Sequence, residues 1–171
     1  MTVTGADLLQ DAYGRIKEAV HGAVSGLSVD DLHVRLDDAA NPIAWLIWHL
    51  TRVQDDHIAD AAGTEQVWTA QGFSGRFNLD LPVESIGFRH SNADVAAVRV
   101  NSAQLLTDYH DAVHAVTDRY VSALGDSDLD RVIDDNWTPH VTLGVRLVSV
   151  IGDCMQHVGQ AEYVQGILQR R

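Results

Sequence analysis

A chain of 171 residues is long enough to bury roughly two thirds of its unfolded surface in one core, and its 46% hydrophobic content holds no unbroken apolar window of membrane-spanning length. Twenty-four acidic residues against twelve basic ones give a formal charge of −12, which repels phosphate backbones and anionic bilayers and disfavours nucleic-acid and membrane partners. The N-terminus MTVTGADLL lacks the basic-then-apolar pattern of an export signal and Cys154 is the only cysteine, so one domain over residues 1–171 in the cytoplasm is expected.

In chain order, Leu8, Leu9, Ala12, Ile16, Ala19, Val20 and Ala23 recur at helical spacing and predict a first helix over about residues 6–27. Gly26, Ser28, Asp30 and Asp31 stop it, and Leu32, His33, Val34 and Leu36 suit a short turn before Asp37 and Asp38. Asn41 followed by Pro42 reads as an N-cap with proline at the first helical position, which opens a second helix running to about Ala62. From Gly63 to Ser91 the periodicity fails, with Gly72, Gly75, Pro82 and Gly87 as punctuation and Trp68, Phe73, Phe77 and Phe88 scattered through it. A long ordered loop is expected, either a pocket wall or a connection whose aromatics anchor it to the core.

Helical spacing resumes from Asn92 to Leu124, with Val95, Val98, Leu105, Leu106, Tyr109, Val113, Val116 and Tyr120 on the inward face. Pro139 disfavours helix at Thr138, and Thr142 can cap a fourth helix that continues to about Leu168. Without convincing strands or repeats, the pattern predicts an all-α four-helix bundle with a long loop between helices two and three.

The chemistry concentrates in IGDCMQHVGQAEYVQG, Ile151 to Gly166. Positions i and i+4 of a helix stack about 5–6 Å apart, so Asp153 and His157 can reach one ion. On a helical wheel Leu147, Ile151, Cys154, Val158 and Ala161 form the core stripe, while Asp153, His157 and Gln160 make a polar seam along its edge. A third ligand must come from another helix. NPIAWLIWHLTRVQDDH offers His49 and His57, which lie about 12 Å apart along the axis and so cannot share one ion. His49 falls on the seam side and His57 nearer the centre of the stripe, making His49 the better third member. Two imidazoles and a carboxylate with open positions suit a divalent transition metal, a Lewis acid able to deprotonate a bound water or thiol near neutral pH.

These stretches carry a family resemblance. With WHLTRVQDDH from Trp48 to His57 and DCMQHVGQAEYVQG from Asp153 to Gly166, the chain resembles the DinB-like four-helix metalloproteins, in particular the branch of mycothiol-dependent maleylpyruvate isomerases and related thiol transferases. The resemblance implies one metal histidine on the second helix and an acid or histidine plus a histidine on the last, which fall here on His49, Asp153 and His157. It departs from the pattern at Asp153, shorter than the glutamate or histidine expected there, and at Gln160, where a histidine often follows. It further implies one divalent metal, zinc ahead of nickel or iron, a low-molecular-weight thiol as co-substrate with a small electrophile, and a homodimer. A metal-dependent hydrolase is the nearest enzymatic alternative, and a metal-stabilised binding or stress-response protein the non-enzymatic one.

Other polar residues in the helices carry blander expectations. Asp55 and Asp56 are expected at the surface, with a hydrogen bond accepted from a ligand imidazole as the competing role. Arg52 suits a substrate carboxylate or a surface ion pair equally. Cys154 reads as a buried small hydrophobe, and Trp45, Trp48 and Trp137 as core or interface anchors. His110 and His114 repeat the i, i+4 spacing on helix three; they are expected on a solvated face and are the rival metal pair.

Overall fold

The computed structural model describes residues 2–171. Thr4 starts the first helix with a capping box, its hydroxyl accepting from Asp7 N–H while the Asp7 carboxylate accepts from Thr4 N–H, and α1 runs Gly5–Val24. Ser28 and Asp31 repeat the device at α2 (Val29–Leu32), where the polar run was expected only to stop the first helix, ahead of the turn expected from Leu32. At the next helix the expected cap is replaced. Pro42 is extended and lies just outside α3 (Ile43–Ala62), and no side chain caps the helix. Gly63, in the left-handed region at φ 67°, ends it.

The stretch from Gly63 to Ser91 is less irregular than its composition suggests, since it contains two short helices, α4 (Val67–Ala70) and α5 (Phe73–Phe77). The third predicted helix is two helices, α6 (Asn92–Ala97) and α7 (Ala103–Ser122). The break has a local cause: the Ser102 hydroxyl accepts from Leu105 N–H and so begins a new helix where periodicity alone runs on. Two strands escaped prediction, β1 (Val132–Asp134) pairing antiparallel with β2 (Val141–Thr142). Thr142 then caps α8 (Leu143–Leu168) through Val145 N–H, as expected.

The four long helices α1, α3, α7 and α8 form the all-α bundle, in which α1 and α3 each pack against both α7 and α8. No helix among the described residues is long and apolar enough to cross a membrane. Helix α3 is buried on every side, fifteen of its twenty residues being inaccessible, because the segment after it folds back across its outer face. That covering overturns two expectations. Arg52 is fully buried and faces neither substrate nor solvent: its guanidinium lies 4.9 Å above the Trp68 ring and donates to Gln66 Oε1 (2.8 Å), Ser85 O (3.2 Å) and Tyr109 OH (3.3 Å). Asp55 is buried too, and its carboxylate accepts from Val67 N–H, Trp68 N–H and Tyr109 OH, each at 2.8 Å, thereby capping α4. Burial pushes the Asp55 carboxyl up, against the pull of these donors and of Arg52. Trp68, Phe73 and Phe77 anchor the segment around Tyr109, whereas Phe88 stays exposed.

Trp45 and Trp48 are core residues as expected, and so is Cys154, whose thiol burial pushes well up; Trp137 is 65% exposed in the turn between the strands. His57 is partly exposed beside Asp56, away from the centre of the helix interface. His110 contradicts its expected solvated face: it is fully buried and neither ring nitrogen has a hydrogen-bond partner. Burial, then the nearby His114, push its pKa down to about 3, with Asp111 opposing and Lys17 and His21 adding to the shift. The unfolded ring takes up a proton below pH ~6.5 and the folded one only below about 3, so its stability contribution is full above ~6.5 and is lost as pH falls toward 3. His110→Phe should remove that acid slope. It should also raise stability at pH 7 by about 1–3 kcal/mol, because an unpaired buried polar group is removed and no bond is broken. Urea melts at pH 7 and pH 5 check both; a variant less stable at pH 7 would mean that the ring is paired after all.

Candidate metal centre

Helices α3 and α8 face each other along the polar seam, where His49, Asp153 and His157 converge. One ligating atom from each lies within 4.8 Å of the others, and this is the one such group of three among the described residues. His157 Nε2 is 3.7 Å from Asp153 Oδ1, as the i, i+4 spacing requires, and the His49 and His157 rings meet edge to face with centroids 4.7 Å apart. His110 and His114 do stack, at 6.4 Å, but gather no third ligand.

Each imidazole is held by its outer nitrogen. His49 Nδ1 donates to the backbone carbonyl of Ile86, and His157 Nδ1 donates to Gln160 Oε1 at 3.2 Å. A nitrogen that donates carries the proton, so Nε2 of each ring keeps its lone pair for the interior of the site. Desolvation, acting before any other influence, keeps the His49 pKa below its ordinary value and favours the neutral, ligating form. Asp153 Oδ2 is buried without any hydrogen-bond partner. A carboxylate oxygen in that condition is costly unless something positive occupies the space beside it. The donor set, its tautomers and this orphaned oxygen together fit a divalent ion.

The shell around the triad was largely invisible in the sequence. Trp45 stacks on His49 at 4.5 Å and meets His157 edge-on at 6.0 Å, so it walls the site as well as filling the core. Its indole N–H donates to His90 Nδ1 (3.1 Å), which leaves His90 Nε2 to donate to Ser85 Oγ (2.7 Å). Gly87, at φ 97°, passes so close to His49 that a Cβ there would overlap the ring, which makes glycine necessary on two counts. Residues 85–90 thus form a strap across α3, and its hydrogen bond to a ligand is made by a main-chain carbonyl. Asp56 has no contact with the triad; it pairs with His57 and accepts from Gln66.

A pocket of about 480 Å³ opens beside the seam, lined by Asn41, Leu46, Gln156, Gly159, Gln160 and Tyr163 among others. Gln160 both lines the pocket and accepts from His157 of the triad. The walls come from α8, the start of α3 and the residues before it, and the Gly63–Ser91 segment expected as a wall contributes none. Asn41, Gln156, Gln160 and Tyr163 give the pocket neutral polar groups, and no acid or base lines it.

Residues 8–169 match the family described as mycothiol-S-transferase. No curated protein matches the chain. Among solved structures, the crystal structure of a conserved protein from Enterococcus faecalis superposes with a TM-score of 0.92, at 32% identity, over 99% of this chain and 100% of that one.

Proposed function

The chain belongs to the mycothiol-S-transferase family, and from that membership we propose that it is an enzyme joining a low-molecular-weight thiol of the mycothiol type to a small electrophile, with His49, Asp153 and His157 holding one divalent metal. The observation that supports this reading most is the hydrogen bonding of the two rings through Nδ1, which leaves each Nε2 free in a cluster whose ligand atoms lie within 4.8 Å of one another, with a partnerless carboxylate oxygen on its third member. A divalent ion bound there supplies Lewis acidity that brings a thiol's pKa into the neutral range.

The chain's own residues do the rest. Ile86 O and Gln160 Oε1 orient the two rings, Trp45 shields one side from water, and the adjoining neutral pocket receives the body of the thiol or of the electrophile. Cys154 does not compete as a nucleophile, because it is buried and its thiol is held protonated. The thiol sulfur releases its proton to solvent and forms the new bond to the electrophilic carbon while that carbon's bond to its leaving atom breaks. Chloride departs from an aryl chloride, or the ring oxygen of an epoxide opens and takes up a proton from water, the triad and pocket bringing the two reactants together.

Untagged protein loaded with zinc, and separately with nickel and iron, should consume a mycothiol-type thiol in the presence of an activated aryl chloride or an epoxide. Thiol loss no faster than in protein-free controls with all three ions would refute the transferase reading, and ester cleavage without thiol would favour a hydrolase. Gln160→Met keeps the length of the side chain but removes the acceptor for His157. It is expected to weaken metal affinity about 10–100-fold, the usual cost of losing an orienting partner, with little change in the melt. A chelator-competition titration indistinguishable from wild type would separate Gln160 from the site.

A further inference from the structure

Trp45 and His49 are one turn apart on α3, so helix geometry alone brings their rings together, stacked at 4.5 Å and 20°. It does not fix the tilt of the stack. The same indole stands at 85° to the His157 ring with centroids 6.0 Å apart, so one side chain packs against both imidazoles of the triad. Its orientation is set at its polar end. An indole N–H donates and cannot accept, so His90 Nδ1 must offer a lone pair at 3.1 Å, and the single proton of that ring sits on Nε2, 2.7 Å from Ser85 Oγ. The strap that carries Ser85 and His90 is itself fixed. Ser85 O accepts from the buried Arg52 Nε at 3.2 Å, Ser85 N–H donates to Pro82 O at 2.9 Å, and the Trp68 indole donates to Val83 O at 2.9 Å. Burial alone does not demand such an anchor in this chain, because the Trp48 indole N–H, more deeply buried, has no partner.

We infer that His90 is a positioning residue of the metal centre, acting through Trp45: by holding the indole, it sets the plane against which His49 and His157 rest, and so the approach of their Nε2 atoms to an ion. This role rests on the metal reading of the triad. It divides the alignment of His49 between two points of one strap, Ile86 O at the edge of the ring and, through Trp45, His90 Nδ1 at its face. Ile86 O remains when His90 is changed, so loss of His90 should cost less than loss of Gln160, the partner of His157. The competing role for His90 is packing alone, since its ring also stacks on Trp48 at 5.7 Å and 24°. The two roles make different demands on the side chain. Packing needs a flat ring, whereas positioning needs one acceptor at the place of Nδ1, which the Oδ1 of an asparagine, bonded to Cγ in the same way, supplies without a ring.

In chelator competition on the untagged chain, His90→Leu should bind zinc about 10-fold more weakly than the wild type, the low end of the usual cost of losing an orienting partner. His90→Asn should bind nearly as the wild type does. His90→Gln, whose amide reaches the place of Nε2 and leaves that of Nδ1 empty, should resemble His90→Leu. His90 is only partly buried, so all three variants should fold. A second readout needs no metal: the Trp45 indole N–H resonance, identified by its disappearance in Trp45→Phe, should shift in His90→Leu and His90→Gln and hold its place in His90→Asn. Wild-type zinc affinity in His90→Leu would overturn this role alone, and so would an asparagine variant as weak as the leucine one, which would leave His90 as packing for Trp48. A wild type that binds no zinc would remove the metal reading and this role with it, and the indole resonances would then report separately whether His90 holds Trp45.

Discussion

His157→Ala is expected to leave a folded protein with almost no metal. Untagged wild type should carry close to one divalent ion per chain by elemental analysis, and His49→Ala, Asp153→Ala and His157→Ala should each lose it, with affinity falling by at least ~100-fold, beyond the usual effect of an outer-shell change. His157 is partly exposed at the helix surface, so its truncation costs little packing and gives the cleanest test. The metal-loaded wild type should also melt at a higher temperature than its own chelated form, by an increment that grows with ion concentration; the three variants should show no such increment. Retention of stoichiometric metal by all three variants would place the ion elsewhere, with His110 and His114 the first residues to examine. Failure of the wild type to bind zinc, nickel or iron at all would remove the metal from the mechanism.

Asp55→Ala should be among the most damaging single changes in the chain, at about 3–5 kcal/mol, although Asp55 touches no ligand of the triad. Its carboxylate answers two N–H groups at the start of α4 and the Tyr109 hydroxyl, and lies 3.6 Å from the Arg52 guanidinium, so truncation strands a buried cation and three donors together. At roughly 2–4 °C per kcal/mol for a chain of this size, the melting temperature should fall by about 6–20 °C. Arg52→Met should be costly for the complementary reason. The double variant should be less damaged than the two single losses combined, since no charge is left unpaired. Urea denaturation of the four proteins measures this coupling; a loss below ~1 kcal/mol for Asp55→Ala would show that the buried network contributes little to the fold.

These two sites show what a sequence can and cannot reveal. Asp153 and His157 were legible because both sit on one helix, where spacing alone fixes proximity, and His49 because it lies on the seam side of an amphipathic wheel. Asp55 and Arg52 were misread for the converse reason. Helix α3 is buried all round by a segment that packs through irregular backbone, and a wheel drawn for a half-exposed helix assigns its far side to water. The split of α6 from α7 turned on one serine competing for a cap, which helical periodicity does not register. The Ile86 carbonyl, the acceptor that fixes His49, belongs to the main chain and leaves no mark on residue identity.

The His49 ring is aligned by a main-chain carbonyl, and no substitution at Ile86 alone deletes that acceptor. The His157 ring is aligned by the side chain of Gln160, which a single codon change can replace. Variation therefore reaches the two halves of the triad unequally: one histidine is sheltered from drift by the backbone, while the other stands beside an adjustable position that also faces the pocket. Descendants of this chain that come to prefer a different ion or a different thiol would be expected to differ first on α8, around position 160, with the α3 half left as it is.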